Sequence, residues 1–116
     1  QKLLDARVRA EEAKAAAKRR AAARRVAEEE AVAAALEHQK NGEITTSIKI
    51  VQKIIKNDPE YLASYYQLGK MLEGRNKVEE AVEVYKSGKS VAKKKNDMKT
   101  LGELSEALML LDVYEE

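Results

Sequence analysis

Residues 62 to 95 read LASYYQLGKMLEGRNKVEEAVEVYKSGKSVAKKK, and this 34-residue stretch decides the fold. Apolar and small residues recur in it at intervals of three and four, a spacing typical of an amphipathic helix. The first half carries that face on Leu62, Tyr65, Leu68, Gly69 and Leu72. After the break at Gly74-Arg75-Asn76, the second half carries it on Ala81, Tyr85, Gly88 and Val91. The stretch therefore predicts two antiparallel helices joined by a short turn.

The size pattern of these residues indicates how the two helices pack. Small residues at Gly69, Ala81 and Gly88 allow the helices to approach closely, and Tyr65 and Tyr85 fill the space beside them.

This arrangement resembles the tetratricopeptide repeat family, whose first helix carries W-x2-L-G-x2-Y and whose second carries A-x3-F. The matching residues are Tyr65, Leu68, Gly69, Leu72, Ala81 and Tyr85, with Pro59 at the closing proline of the preceding repeat. Residues 62–95 match well, and residues 28–61 are a degenerate copy. The resemblance implies a helical scaffold for protein–protein contact without catalytic activity. It implies no carboxylate clamp, since the matching positions hold Val32, Leu36, Ala63 and Gln67.

The positions of the helix-ending and turn residues predict five helices in the chain. Asn41-Gly42 ends a first helix at Lys40, and a second spans about 44–57. Pro59 is expected at the first position of a third helix over about 60–73. Asn76 and Glu79 have capping-box spacing before a fourth helix over 77–95, and a fifth is predicted over 98–114. The fold class is all-α: antiparallel helical hairpins of a short solenoid, with a very long N-terminal helix and a C-terminal capping helix over 97–116.

The N-terminal part of the chain has a different composition. Lys2 to Lys40 contains no Gly, Pro, Ser, Thr or Asn, and at about 1.5 Å per residue one helix over it would be about 58 Å long. Fourteen alanines lie in the first 36 residues and four in the other 80. Residues 1–27 have a formal net charge of +6, and residues 28–116 have one of −4. Residues 1–36 are therefore interpreted as an alanine-rich extension that runs into the first repeat helix. This change of composition favours an engineered, designed fusion over a natural protein with a helical extension.

Two surfaces are candidates for partner binding. The extension carries an apolar stripe suited to close helix packing, which predicts self-association into a symmetric homo-oligomer or larger assembly. We call this set the N-terminal stripe: Leu3, Leu4, Val8, Ala15, Ala22 and Val26. The alternative is a natural adaptor that binds a partner peptide in a concave groove lined by Tyr66, Gln67 and Lys70.

Other functions have little support in the residues. Without cysteine and with one histidine, no thiolate nucleophile or Cys/His metal cluster can form, so we expect no catalytic, metal or cofactor site. No apolar run is long enough to span a membrane and no secretory signal is readable, so a cytoplasmic or recombinant soluble protein is expected. A basic block at residues 14–25 could bind nucleic acid, but it contains no aromatic residue for stacking and is better interpreted as a solvated helix face.

Overall fold

The computed structural model describes residues 1–113, and over that range every regular element is an α-helix. The helices are α1 (Lys2–Lys40), α2 (Ile44–Asn57), α3 (Ala63–Gly74), α4 (Val78–Lys95) and α5 (Met98–Leu110). The all-α prediction is confirmed, as are the bounds of α1 and α2. The chain divides into two compact units, residues 1–30 and the part from Ala31 onward, which we call the repeat body.

Four helix ends close in the same way. Gly42, Asn76, Asn96 and Asp112 have φ between 60° and 83°, the left-handed region, just after α1, α3, α4 and α5. In each case the following N–H donates to a carbonyl five residues back, as from Lys77 to Leu72 at 2.9 Å. These bonds satisfy carbonyls that the helix end would otherwise leave unpaired. At each of these ends, the helix is therefore followed directly by a short turn.

Three predicted boundaries are wrong. Asn76 does not cap α4: it is left-handed and ends α3, while Lys77 precedes α4 without a side-chain cap. Pro59 is not a first helical residue, because residues 59–62 form turns and α3 begins at Ala63. The fifth helix ends at Leu110, before the left-handed Asp112, and not at residue 114, which lies outside the described residues.

The core lies in the repeat body, where α2 packs on α3, α3 on α4 and α4 on α5. The predicted faces of α3 and α4 are buried, apart from the half-buried Val91. The buried apolar cluster comprises Ala35, Val51, Leu62, Tyr65, Leu68, Met71, Leu72, Ala81, Tyr85, Ala92, Leu104, Ala107 and Leu108. Each of these helices thus buries one stripe against its neighbour in the chain.

Candidate protein-interaction surfaces

Two glycines within residues 62–95, Gly69 and Gly88, set the distance between α3 and α4. A methyl group on Gly69 would lie 2.1 Å from Cε1 of Tyr85, and one on Gly88 would lie 2.7 Å from Cβ of Tyr65. Both distances are far below van der Waals contact, so only glycine fits at either position. The predicted roles of Gly69 and Gly88 are confirmed. This close packing fixes the positions of the surface residues on α3.

A polar network joins α3 to α4 at one edge of this packing. The Tyr85 hydroxyl donates to Oε2 of Glu73, and the same oxygen lies 3.8 Å from Nζ of Lys70. Burial raises the pKa of Tyr85, and the Glu73 carboxylate raises it further. The network holds Glu73 and Lys70 along one side of α3.

Tyr66 connects this network to the surface. Nζ of Lys70 lies 5.5 Å from the Tyr66 ring centroid, within the range of a cation–π contact. The rings of Tyr66 and Tyr85 are 6.4 Å apart at 45°, which allows an attractive tilted contact. Tyr66 therefore contacts two residues of this network, Lys70 and Tyr85.

The three predicted groove residues are half-buried, and two of them line one cavity between α3 and α5. Tyr66 and Gln67 line this cavity of about 210 Å³, whereas Lys70 is not among its lining residues and lies over the Tyr66 ring. The other lining residues are Leu62, Ala63, Thr100, Glu103 and Leu104. Sequence reasoning missed Thr100 and Glu103, because nothing in the local pattern of α5 indicates that they lie opposite α3.

A second, larger cavity lies against α2, α3 and α4. Its volume is about 340 Å³, and it is lined by Gln52, Ile55, Tyr65, Leu68, Glu83, Val84 and Ser87. No local pattern in the sequence indicates this cavity, because residues of three different helices line it. Its wall is mainly apolar, with Glu83 as the one formal charge among the lining residues.

The N-terminal stripe lies on an exposed helix. Leu3 is 82% exposed, and Leu4, Val8, Ala22 and Val26 are also exposed, whereas Ala15 is half-buried. At 100° per residue, all of the stripe except Leu3 falls within an arc of about 40°. Leu3 therefore does not share the face predicted for it. Within the basic block, Lys14, Lys18, Arg19 and Arg20 are exposed.

No group of three or more His, Asp or Glu among residues 1–113 is placed to hold a metal ion. The single histidine, His38, is half-buried, with Nδ1 3.4 Å from Oε1 of Glu43. Over the same residues, no helix combines the length and the apolar character that crossing a membrane requires.

Paired antiparallel helices with glycine-mediated contacts, each packed on the next, define a short helical-repeat solenoid, a class of fold used for protein–protein contact. Two solved structures, both of a tetratricopeptide repeat domain protein from Salinibacter ruber, are similar to this chain. The crystal structure is 30% identical at a TM-score of 0.64, covering 70% of this chain and 90% of its own. The solution NMR structure is 31% identical at a TM-score of 0.65, covering 67% of this chain and 79% of its own.

The chain belongs to the tetratricopeptide repeat family. No family model matches the sequence, and no curated protein matches it either.

Proposed function

We propose that the chain is a non-enzymatic helical-repeat scaffold that self-associates into a symmetric homo-oligomer through the N-terminal stripe. The observation that carries the proposal is the exposure of Leu4, Val8 and Val26 on one arc of α1. Fully burying a leucine or valine side chain contributes about 1.5 to 3 kcal/mol of favourable free energy. Burying these side chains against a partner helix would therefore favour association.

Alanine at the middle of the stripe supports helix-to-helix contact in particular. Ala15 and Ala22 present only methyl groups between the larger side chains at either end. Small residues at the centre of a contact let two helices approach closely, and each copy contributes the same arc in a symmetric pair. A second copy of the chain therefore fits the stripe.

The composition of the extension supports an engineered origin within this proposal. The alanine-rich residues 1–36 continue into repeats that we assign as a degenerate repeat over 28–61 and a second repeat over 62–95, followed by a C-terminal cap over 97–116 that contains α5. The two solved structures match 70% and 67% of the chain, which supports a family domain joined to a segment of other origin.

Matched alanine substitutions test the stripe. Ala15→Glu with Ala22→Glu places two carboxylates on it, whereas Ala16→Glu with Ala23→Glu makes the same change about 100° around the helix. We expect the full chain and the control pair to have the same oligomeric mass in sedimentation velocity at tens of micromolar, and the stripe pair to have a smaller mass. Equal masses for both pairs would refute self-association through this face.

The alternative is a natural adaptor that holds a partner peptide in the groove. The cavity of about 210 Å³ beside Tyr66 and Gln67 favours it, because the Tyr66 ring and the Lys70 ammonium offer both apolar and cationic contact. Selection from a random peptide library should then yield one peptide whose affinity for the full chain falls at least tenfold with Tyr66→Ala or Lys70→Glu. A selected peptide insensitive to both variants would exclude this groove.

A further inference from the structure

Exposed apolar side chains lie on the side of α5 that faces away from the core. Met98 is 66% exposed, Met109 53% and Leu110 73%, whereas Leu104 and Leu108 on the other side of α5 are buried in the core. The exposed residues of α5 also include the charged Lys99, Glu103 and Glu106, so the methionines form an apolar strip within a mixed surface.

Four residues on this face have the spacing of a helix-pairing seam. Met98, Gly102, Ser105 and Met109 follow one another at intervals of four, three and four, the pattern of the a and d positions of a coiled coil. Gly102 has no atom within 4 Å of the place where a Cβ would stand, so the centre of the seam is open. We call these four residues the α5 seam.

The size order of the α5 seam is the same from either end. Large methionines lie at the ends and small residues at the centre. Two copies placed antiparallel about a two-fold axis would set Met98 of each against Met109 of the other, and Gly102 of each against Ser105 of the other. The small central pairs let the helices approach, and the methionines then pack at both ends of the contact.

The flanking charges favour the antiparallel arrangement. Lys99 and Glu106 are seven residues apart, on the same side of the α5 seam. In an antiparallel pair, like flanks meet, so Lys99 of each copy faces Glu106 of the other in two ion pairs. In a parallel pair this flank would meet the opposite flank of the other copy, where Leu101 and Leu108 lie, so no ion pair would form. Opposite charges at facing flank positions select partner and orientation in paired helices.

We propose that the α5 seam docks a second copy of this chain as an antiparallel helix pair. This contact is separate from the N-terminal stripe, so one chain carries two self-association surfaces. Thirteen residues of helix span only about 20 Å, and an interface of that size is of the weak, reversible kind. The seam therefore links copies in a concentration-dependent manner.

Disulfide trapping tests the register, because the chain has no cysteine of its own. A full-length Met98→Cys chain and a full-length Met109→Cys chain are mixed and oxidised. In the antiparallel pair, residue 98 lies against residue 109 of the other copy, whereas two residues 98 are about 16 Å apart. A disulfide requires Cα atoms within about 7 Å, so the mixture should give covalent dimers of the two unlike chains and neither chain alone should. Val78→Cys, an exposed apolar position on α4, is the matched control and should not cross-link with either.

Two arms complete the test. In the cysteine chains, Lys99→Glu or Glu106→Lys alone should lower the cross-linking yield severalfold, and the two together should restore it. Repeating the trapping in the Ala15→Glu, Ala22→Glu background separates it from the N-terminal stripe, and the cross-link should persist there. The proposal would be overturned if the mixture gave no cross-link, or if Met98→Cys alone cross-linked at the same yield. It would also be overturned if the double charge reversal did not restore the yield, or if the cross-link disappeared in the Ala15→Glu, Ala22→Glu background.

Discussion

The first 27 residues and the repeat body are both helical, but different forces specify them. In residues 1–27 no side chain is buried, so the helix rests on intrinsic propensity, and alanine, lysine, arginine and glutamate supply it. In the repeat body, propensity is mixed and β-branched residues are frequent in α2, yet Val51 and Ile54 are buried at helical spacing. Packing therefore decides the structure of the repeat body, whereas the side chains of residues 1–27 remain accessible to a partner.

The largest effect that separates the two regions should come from adding one methyl group to the body. Gly69→Ala and Gly88→Ala would push against Tyr85 and Tyr65, both buried, and overpacking of this kind costs about 1 to 3 kcal/mol. Urea unfolding monitored by tyrosine fluorescence measures the loss. Gly74→Ala is the control, since no atom lies within 4 Å of its added methyl, and it should not lower the unfolding midpoint. Equal midpoints for all three variants would refute glycine-set packing.

A smaller loss is expected when the polar network on α3 and α4 is cut. Tyr85→Phe keeps the ring but removes the hydroxyl that donates to Glu73, which should cost about 1 kcal/mol. Thermal unfolding at neutral pH measures it. A variant as stable as the parent chain would show that this hydrogen bond does not contribute.

The same tyrosine gives the body a pH response. Because burial and Glu73 raise the pKa of Tyr85, the folded state favours the protonated hydroxyl. That contribution is fully present below the ordinary tyrosine pKa of about 10 and is lost as the pH rises above it. Unfolding midpoints between pH 8 and 11 should therefore fall more for the parent chain than for Tyr85→Phe. Parallel curves would contradict this role.

The smallest effect on the body should come from weakening the N-terminal helix. Ala16→Gly with Ala23→Gly costs helix propensity of about 1 kcal/mol per residue, so circular dichroism should show less helix. The unfolding midpoint of the body should stay unchanged, because neither residue is buried. Ala92→Gly, the same change at a buried position of α4, should lower that midpoint. A fall of the midpoint in the N-terminal variant would mean that the two regions unfold together.

Much of the fold was predictable because it depends on local spacing and on residue size. The unbroken composition of Lys2–Lys40 predicted α1, and the glycine and tyrosine positions predicted how α3 packs on α4. Asn76 was assigned wrongly because asparagine serves both as an N-terminal cap and as a left-handed residue, and the bond from Lys77 to Leu72 decides between them. The start of α3 was missed because Asp58 forms a turn: its side chain accepts from the Glu60 N–H at 3.2 Å and its carbonyl from the Tyr61 N–H at 3.1 Å, bonds that spacing does not encode.

The candidate surfaces were predictable only where one helix forms them. The exposed arc of α1 follows from its own sequence, apart from Leu3. The cavity beside Tyr66 also needs Thr100 and Glu103, whose positions depend on how α5 returns across α4. The α5 seam was missed because Leu104, Leu108 and the methionines all fit one broad apolar pattern, and only their burial separates core from outer face.

The solution mass of the full chain and of a chain lacking residues 1–27 tests the central claim most directly. Light scattering at tens of micromolar should give a defined multiple of 13.0 kDa for the full chain, with the truncated chain falling to a smaller assembly or to monomer. Monomers for both would contradict self-association through the N-terminal stripe, and so would an identical multiple for both.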